Sequence, residues 1–276
     1  MQQRPVFMRE LLAQAWMRTR RLTPEFRGKQ WLSRAITSLL GPVAMKTEEG
    51  IILQTLLSSS MDLSFLDPNG GGHELIRGEI KALKPGDKVL DIGANTGFFS
   101  LLAAATVGDE GLVIAIEPSG REFGRLLANI DANRANNVLA LNIATGERPG
   151  IQRLTIEPEH TGLNKIAINP SQRHKTQPCQ LINIDRLGLE SLGVFAIAKI
   201  DVEGYELFTL RGMNNLLGSR TINRILIEIS PIFLQQHGQS SDQIYQLMAG
   251  HGYMPIIGPQ NNSQWDEVFT GHWVKS

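Results

Sequence analysis

From Lys88 onward, short apolar runs alternate with stretches whose apolar residues recur at helical spacing. This alternation predicts a mostly parallel sheet wrapped by helices on both faces. Strands are expected at 88–92, 112–117, 138–143, 194–200, 222–229 and 253–257, with a seventh near 265–273. Phe98, Leu101, Leu102 and Ala105 fall at i, i+3, i+4 and i+7, as do Phe123, Leu126, Leu127 and Ile130. Each helix should therefore lay one apolar stripe on the sheet. Between the third and fourth strands, Ile151 to Ile156 and Thr176 to Ile184 read as the arms of an inserted hairpin or flap.

The N-terminal part has a different pattern. Residues 1–40 read as helical, and Gly41-Pro42 is a stop. Val43 to Thr47 and Ile51 to Leu56 form a hairpin around Glu48-Glu49-Gly50. Asp67 to Gly72 is a flexible loop, with a hinge at Asn69 to Gly72, and a helix from His73 to Leu83 ends before Pro85-Gly86. Residues 1–72 are thus expected to be a helical and hairpin extension over the acceptor side, and residues 73–276 the catalytic domain. A chain of 276 residues with 42% hydrophobic content suits that arrangement.

The formal net charge of zero leaves no field to gather nucleic acid. Residues 1–34 are basic all the same, as an amphipathic helix with its charges in water or one that touches a membrane or an acidic partner. The single cysteine, Cys179, excludes an internal disulfide and reads as an inert strand residue. No apolar run is long enough to span a bilayer and no secretion signal is visible, so a soluble, cytoplasmic protein is expected. Oligomeric state leaves no mark in the sequence.

Candidate chemistry begins at Asp91-Ile-Gly-Ala-Asn-Thr-Gly97, where a strand turns sharply into a helix. Gly93 and Gly97, with Ala94 and Asn95 between them, are expected to open the backbone to a ligand. The helix N-terminus favours a carboxylate, and Asp91 can accept hydrogen bonds from an ammonium, so the ligand is an amino-acid derivative. Glu117, followed by Pro118, ends the second strand, where an acid can grip both ribose hydroxyls. A dinucleotide fingerprint would place three glycines and would need no acid ahead of them.

These residues resemble the FkbM-type methyltransferases. The likeness lies in Lys84-Pro-Gly-Asp-Lys-Val-Leu-Asp-Ile-Gly-Ala-Asn-Thr-Gly-Phe-Phe-Ser100, Val113-Ile-Ala-Ile-Glu-Pro118, Lys199-Ile-Asp-Val-Glu-Gly-Tyr-Glu206 and Ile225-Leu-Ile-Glu-Ile229. It covers about residues 73–257 and implies a Rossmann-like class I fold using S-adenosylmethionine. Where similar proteins tend to read Asn-Ala-Ala, this chain reads Asn142-Ile-Ala144, still placed to bracket the adenine. His73 and Glu74 stand where similar proteins carry a pair near the cofactor mouth. The resemblance favours a hydroxyl acceptor on a small molecule, a glycan or a natural product.

An alcohol acceptor benefits from a base or a metal that removes its proton. Asp201, Glu203 and His73 are the candidate catalytic residues, with Asp201 also a candidate cofactor contact; His160, in the insert, is a weaker one. Asp201 and Glu228 end adjacent strands and either hold a divalent ion such as magnesium, or Asp201 touches cofactor or acceptor while Glu228 bonds to backbone. Two other classes stay open from the residues alone. They are a nicotinamide-dependent oxidoreductase and a non-catalytic binding module.

Overall fold

The computed structural model describes residues 6–22, 28–67, 74–157, 161–167, 175–256 and 265–271. Helices α1 (Val6–Leu22) and α2 (Gly28–Leu40) precede a hairpin of β1 (Val43–Lys46) and β2 (Ile52–Thr55), and then helix α3 (Ser60–Phe65). Gly50 turns the hairpin at φ 91°, a value glycine reaches without a Cβ clash. These elements share a small core that includes Ala13, Trp16, Leu40, Val43 and Leu57. Helix α3 was not expected; the Ser59 hydroxyl caps it by accepting from the Asp62 N–H.

Helix α4 (Glu74–Lys81) leads into β3 (Lys88–Ile92), α5 (Phe98–Val107), β4 (Leu112–Ile116), α6 (Gly120–Asn133) and β5 (Val138–Leu141). Next come β6 (Ala144–Thr145), β7 (Gly150–Thr155), β8 (Lys165–Ile166) and β9 (Thr176–Ile182). The chain then continues through β10 (Phe195–Ile200), α7 (Glu206–Arg211), α8 (Asn214–Gly218) and β11 (Ile222–Ile229). It ends in α9 (Pro231–Gln236), α10 (Ser241–Gly250), β12 (Tyr253–Pro255) and β13 (Trp265–Gly271).

Strands β11, β10, β3, β4 and β5 lie side by side and parallel, and β13 pairs antiparallel with β11, with β12 beyond it. The chain builds outward from β3 in one direction and from β10 in the other. Strand order therefore reverses between β3 and β10, the place where open α/β sheets bind ligands beyond their carboxyl edge. The third strand stops at Leu141, short of the expected 143, because Ala144 and Thr145 leave to pair with Leu181 and Ile182. The expected hairpin is present as β7 against β9, within a second sheet of four strands.

Two helices depart from the single-stripe expectation. In α5, Ala105 is exposed, while Phe99, Ser100, Ala103 and Ala104 are buried with the predicted Phe98, Leu101 and Leu102. Residues of the extension and of α4, including Leu53, Phe65 and Ile80, join the same core cluster and cover that outer side. In α6, Leu127 is exposed and the polar residues Glu122, Arg125 and Asn129 are buried. The hairpin explains the exchange. The Gln54 N–H donates to Asn129 Oδ1 at 2.7 Å and the Ile52 N–H to Asn133 Oδ1 at 2.9 Å. The Arg125 guanidinium donates to the Gln54 carbonyl and to Asp62, so side chains of α6 finish the open edge of β2.

Arg125 and Asp62 are both almost fully buried, and Asp62 also accepts from the Leu56 N–H at 2.7 Å. Removing one partner strands a buried charge. Asp62→Ala should cost about 3–5 kcal/mol in urea denaturation, whereas Asp62→Leu/Arg125→Leu together should cost distinctly less than the sum of the two single changes.

Candidate active site

A cavity of about 530 Å³ opens at the switch point, within the size range of small-molecule sites. Its floor is the carboxyl edge of β3, β4, β10 and β11. Met61 and Phe65 of α3 form part of one wall, and Gly162, Asn164, Lys165 and Ile166 of the insert form part of another. Of the predicted site residues, Glu74, Gly93, Ala94, Asn95, Glu117, Pro118, Ala144, Asp201, Glu203 and Glu228 line it. His73, His160 and the 69–72 hinge lie outside the described residues.

The glycine turn is built for close packing more than for ligand access. A Cβ on Gly93, at φ 82°, would sit 1.8 Å from the Asp201 carbonyl oxygen. A Cβ on Gly97, which starts α5 at φ 91°, would sit 2.5 Å from Leu126 Cδ1, and Gly97 does not line the cavity. Gly93 thus stands at the cavity and is also required by strand packing, and Gly97 by helix packing. Asn95 adopts φ 52°, which aims its N–H at Glu117 Oε2 at 2.8 Å; the Ser119 N–H donates to Oε1 at 2.8 Å.

Each Glu117 oxygen keeps a second lone pair and can accept a ribose hydroxyl. Burial, reinforced by Glu122 and Asp91, pushes this carboxyl up to about 8. Asn142 is exposed and turns back, its amide donating to the Glu117 and Pro118 carbonyls, so Ile143 takes its place beside Ala144 at the cavity.

Asp91 differs most from expectation. It is wholly buried and does not line the cavity. Ser100 Oγ donates to its Oδ2 at 2.5 Å, and Oδ1, with no hydrogen-bond partner, lies 3.8 Å from Lys199 Nζ. Lys199, opposite Asp91 in the β10–β3 register, reaches the cavity instead, with Nζ 3.0 Å from Asp201 Oδ2. Sequence reasoning missed its role, although a lone cation inside the apolar run Phe195-Ala-Ile-Ala-Lys-Ile200 was a visible signal for a buried partner.

Glu203 sits beyond β10 at φ 53°, nearly buried but lining the cavity, with Oε2 buried and unpartnered. Burial, then the charges of Asp201, Glu228 and Glu206, hold it far above the usual carboxylate range. Glu206 accepts the Gly204 N–H at 2.8 Å and fixes this turn. Tyr205, also unforeseen, lines the cavity and packs on Phe208 with ring centroids 4.5 Å apart. Asp201 and Glu228 do end adjacent strands, but the Asp201 carboxylate is engaged by Lys199. Among the described residues no group of three or more His, Cys, Asp or Glu is placed to hold a metal, so the magnesium expectation finds no support.

A sequence model described as the methyltransferase FkbM domain matches residues 91–255. The chain belongs to the FkbM methyltransferase family. The family is one of methyltransferases, which speaks against the oxidoreductase reading. The hexuronic acid methyltransferase AglP of Haloferax volcanii is 30% identical over 164 residues, 58% of this chain and 62% of that protein, so the match leaves more than a third of AglP uncovered. The 31-O-demethyl-FK506 methyltransferase FkbM of Streptomyces tacrolimicus is 24% identical over 219 residues, 68% of this chain and 78% of that one. A crystal structure of an S-adenosylmethionine-dependent methyltransferase from Aquifex aeolicus superposes with a TM-score of 0.44 at 15% identity, covering 78% of this chain and 94% of that one. Among the described residues no helix of this FkbM-family protein is long and apolar enough to cross a membrane.

The packing of the turn sets a ranking. Gly93→Ala forces a methyl into backbone and should cost roughly 3 kcal/mol, with S-adenosylhomocysteine binding lost. Gly97→Ala meets only the end of a leucine side chain and should cost about half as much. Thermal melts of the two variants, with and without ligand, check both the order and the loss.

Proposed function

We propose that the protein methylates a hydroxyl group on a small molecule or glycan. The observation that carries this reading is Glu203, a nearly buried acid that lines the cavity and has one oxygen without a hydrogen-bond partner. The relatives' names point to oxygen-bearing acceptors: one acts on 31-O-demethyl-FK506, and the other on a hexuronic acid, which offers a carboxyl as well as hydroxyls.

S-adenosylmethionine supplies an electrophilic methyl group on a sulfonium. The chain has three tasks. Glu117 holds the ribose hydroxyls, with Ile143 and Ala144 against the base. Glu228 leaves the sulfonium end of the cavity anionic, Asp201 being paired with Lys199. Glu203 takes the proton of the acceptor hydroxyl, a task its high proton affinity suits once a cation shares the cavity. Residues 1–72 supply the acceptor side through α3, whose Met61 and Phe65 help exclude water. No metal is assigned, because Lys199 already neutralises Asp201.

Two tests follow from these assignments. S-adenosylhomocysteine hydroxyls donate to Glu117 and favour its charged form. Because the free carboxyl titrates near 8, binding at pH 7 should release protons, and affinity should rise with pH up to about that value. Calorimetry in buffers of different ionisation enthalpy measures the release; Glu117→Gln should abolish it, and Glu117→Ala should weaken binding by about 1–3 kcal/mol.

Mass-spectrometric screening of hydroxyl-bearing sugars and polyketides should yield an O-methyl product, formed undiminished after EDTA and gel filtration. With that acceptor, Glu203→Gln should lower kcat about 100-fold or more while leaving S-adenosylhomocysteine affinity within a factor of about three. Methylation confined to nitrogen acceptors, or an unchanged kcat, would refute the assignment.

A further inference from the structure

We propose that Lys199 receives the α-carboxylate of S-adenosylmethionine, so that a cation on β10, and not Asp91 or the α5 N-terminus alone, reads the amino-acid end of the cofactor. This rests on the cofactor placement given above. Four observations carry it.

The first is position. Lys199 lines the cavity beside the glycine turn, with Nζ 3.5 Å from the Gly93 carbonyl oxygen, whereas Asp91 is sealed behind it. The second is the count of donors. An ammonium has three N–H groups, and only the contact to Asp201 at 3.0 Å is a short hydrogen bond. Those to Gly93 at 3.5 Å and Asp91 at 3.8 Å are too long to satisfy a donor. Lys199 can turn toward a carboxylate without giving up a good bond.

The third is charge. The other titratable groups lining the cavity are Glu74, Glu117, Asp201, Glu203, Glu228, Lys165 and Tyr205. Lys165 is on the insert, its Nζ 3.9 Å from the Phe233 ring centroid and 3.5 Å from Gln236 Oε1. A cofactor carboxylate at the Gly93 end would face acids alone if Lys199 were absent. The fourth is that Lys199 stays charged in its buried place. Burial, the largest influence, works against the ammonium, yet Asp201 and Asp91 together hold its pKa above that of an ordinary lysine.

The test compares two ligands. S-adenosylhomocysteine carries the amine and the carboxylate; its decarboxylated analogue carries the amine alone. Calorimetry on the wild-type protein should show a preference for S-adenosylhomocysteine of roughly 10- to 100-fold. Lys199→Met should bring the two affinities within about threefold of each other, mainly through loss of S-adenosylhomocysteine binding, and Lys199→Arg should retain most of the preference. If Lys199→Met leaves Asp91 uncompensated and fails to fold, Lys199→Gln keeps a donor toward Asp201 and serves the same comparison.

Equal affinities in the wild-type protein would overturn the proposal. So would a Lys199 variant that weakens both ligands by the same factor, the mark of a purely structural lysine. Failure of the wild-type protein to bind either ligand would instead strike the cofactor placement beneath it.

Discussion

The carbonyl oxygen of Asp201 lies where a side chain on Gly93 would be, and the site is organised around that contact. Strands β3 and β10 are neighbours at the centre of the sheet, and the Asp201 N–H extends their pairing by donating to the Ile92 carbonyl at 3.0 Å. The chain beyond β10 therefore crosses directly over the turn beyond β3. Only glycine at φ 82° permits it. The crossing brings Asp91, Lys199 and Asp201 together, and the turn it leaves behind presents the Asn95 N–H to Glu117. A looser approach of the two strands would separate the lysine from both aspartates.

This dependence on a neighbouring strand explains what was legible in the sequence. Every core strand could be read within a few residues, because buried parallel strands are continuous apolar runs that need no knowledge of their partners. Glu117 and Asp201 were legible for a related reason, since an acid directly after such a run falls at the carboxyl edge. Asp91 was misread because its surroundings are set by register: only the pairing of Lys199 with Asp91 shows that the acid has an internal cation. The packing role of the glycines was hidden in a similar way, the atoms nearest them belonging to Asp201 and Leu126. In α5 and α6, a stripe pattern reports one covering surface, whereas the extension adds a second that demands polar groups where a solvent face was expected.

The roof of the cavity is assembled from segments far apart in sequence. A Cβ on Gly162 of the insert would lie 2.6 Å from Met61 Cε of α3, so the two covers touch through the absence of a side chain. Helix α3 lies before the segment that matches the family, residues 91–255, while the insert lies within it. Met61 and Phe65 are held by the buried Asp62–Arg125 pair, which ties α3 to α6 and thereby to the floor. Stability of the extension and shape of the cavity are therefore linked, and substitutions on the polar face of α6 reach the pocket through α3.

An acid-lined cavity carries a cost for methyl transfer. The sulfonium loses its positive charge as it reacts, so carboxylates around it hold the starting cofactor more tightly than the transition state. That field slows the reaction unless something restores the charge. Under the proposed assignment, the proton of the acceptor reaches Glu203 as the methyl group departs, and one negative charge is cancelled while one positive charge is lost. The local net charge then changes little, and the penalty of the acidic lining is offset within the same step. A neutral base within the cavity would keep the same balance by gaining a positive charge, whereas a solvent base would leave the lining uncompensated. The nearly buried, unpartnered oxygen of Glu203 lies close enough to Asp201 and Glu228 for their charges to raise its proton affinity, which is the position this compensation requires.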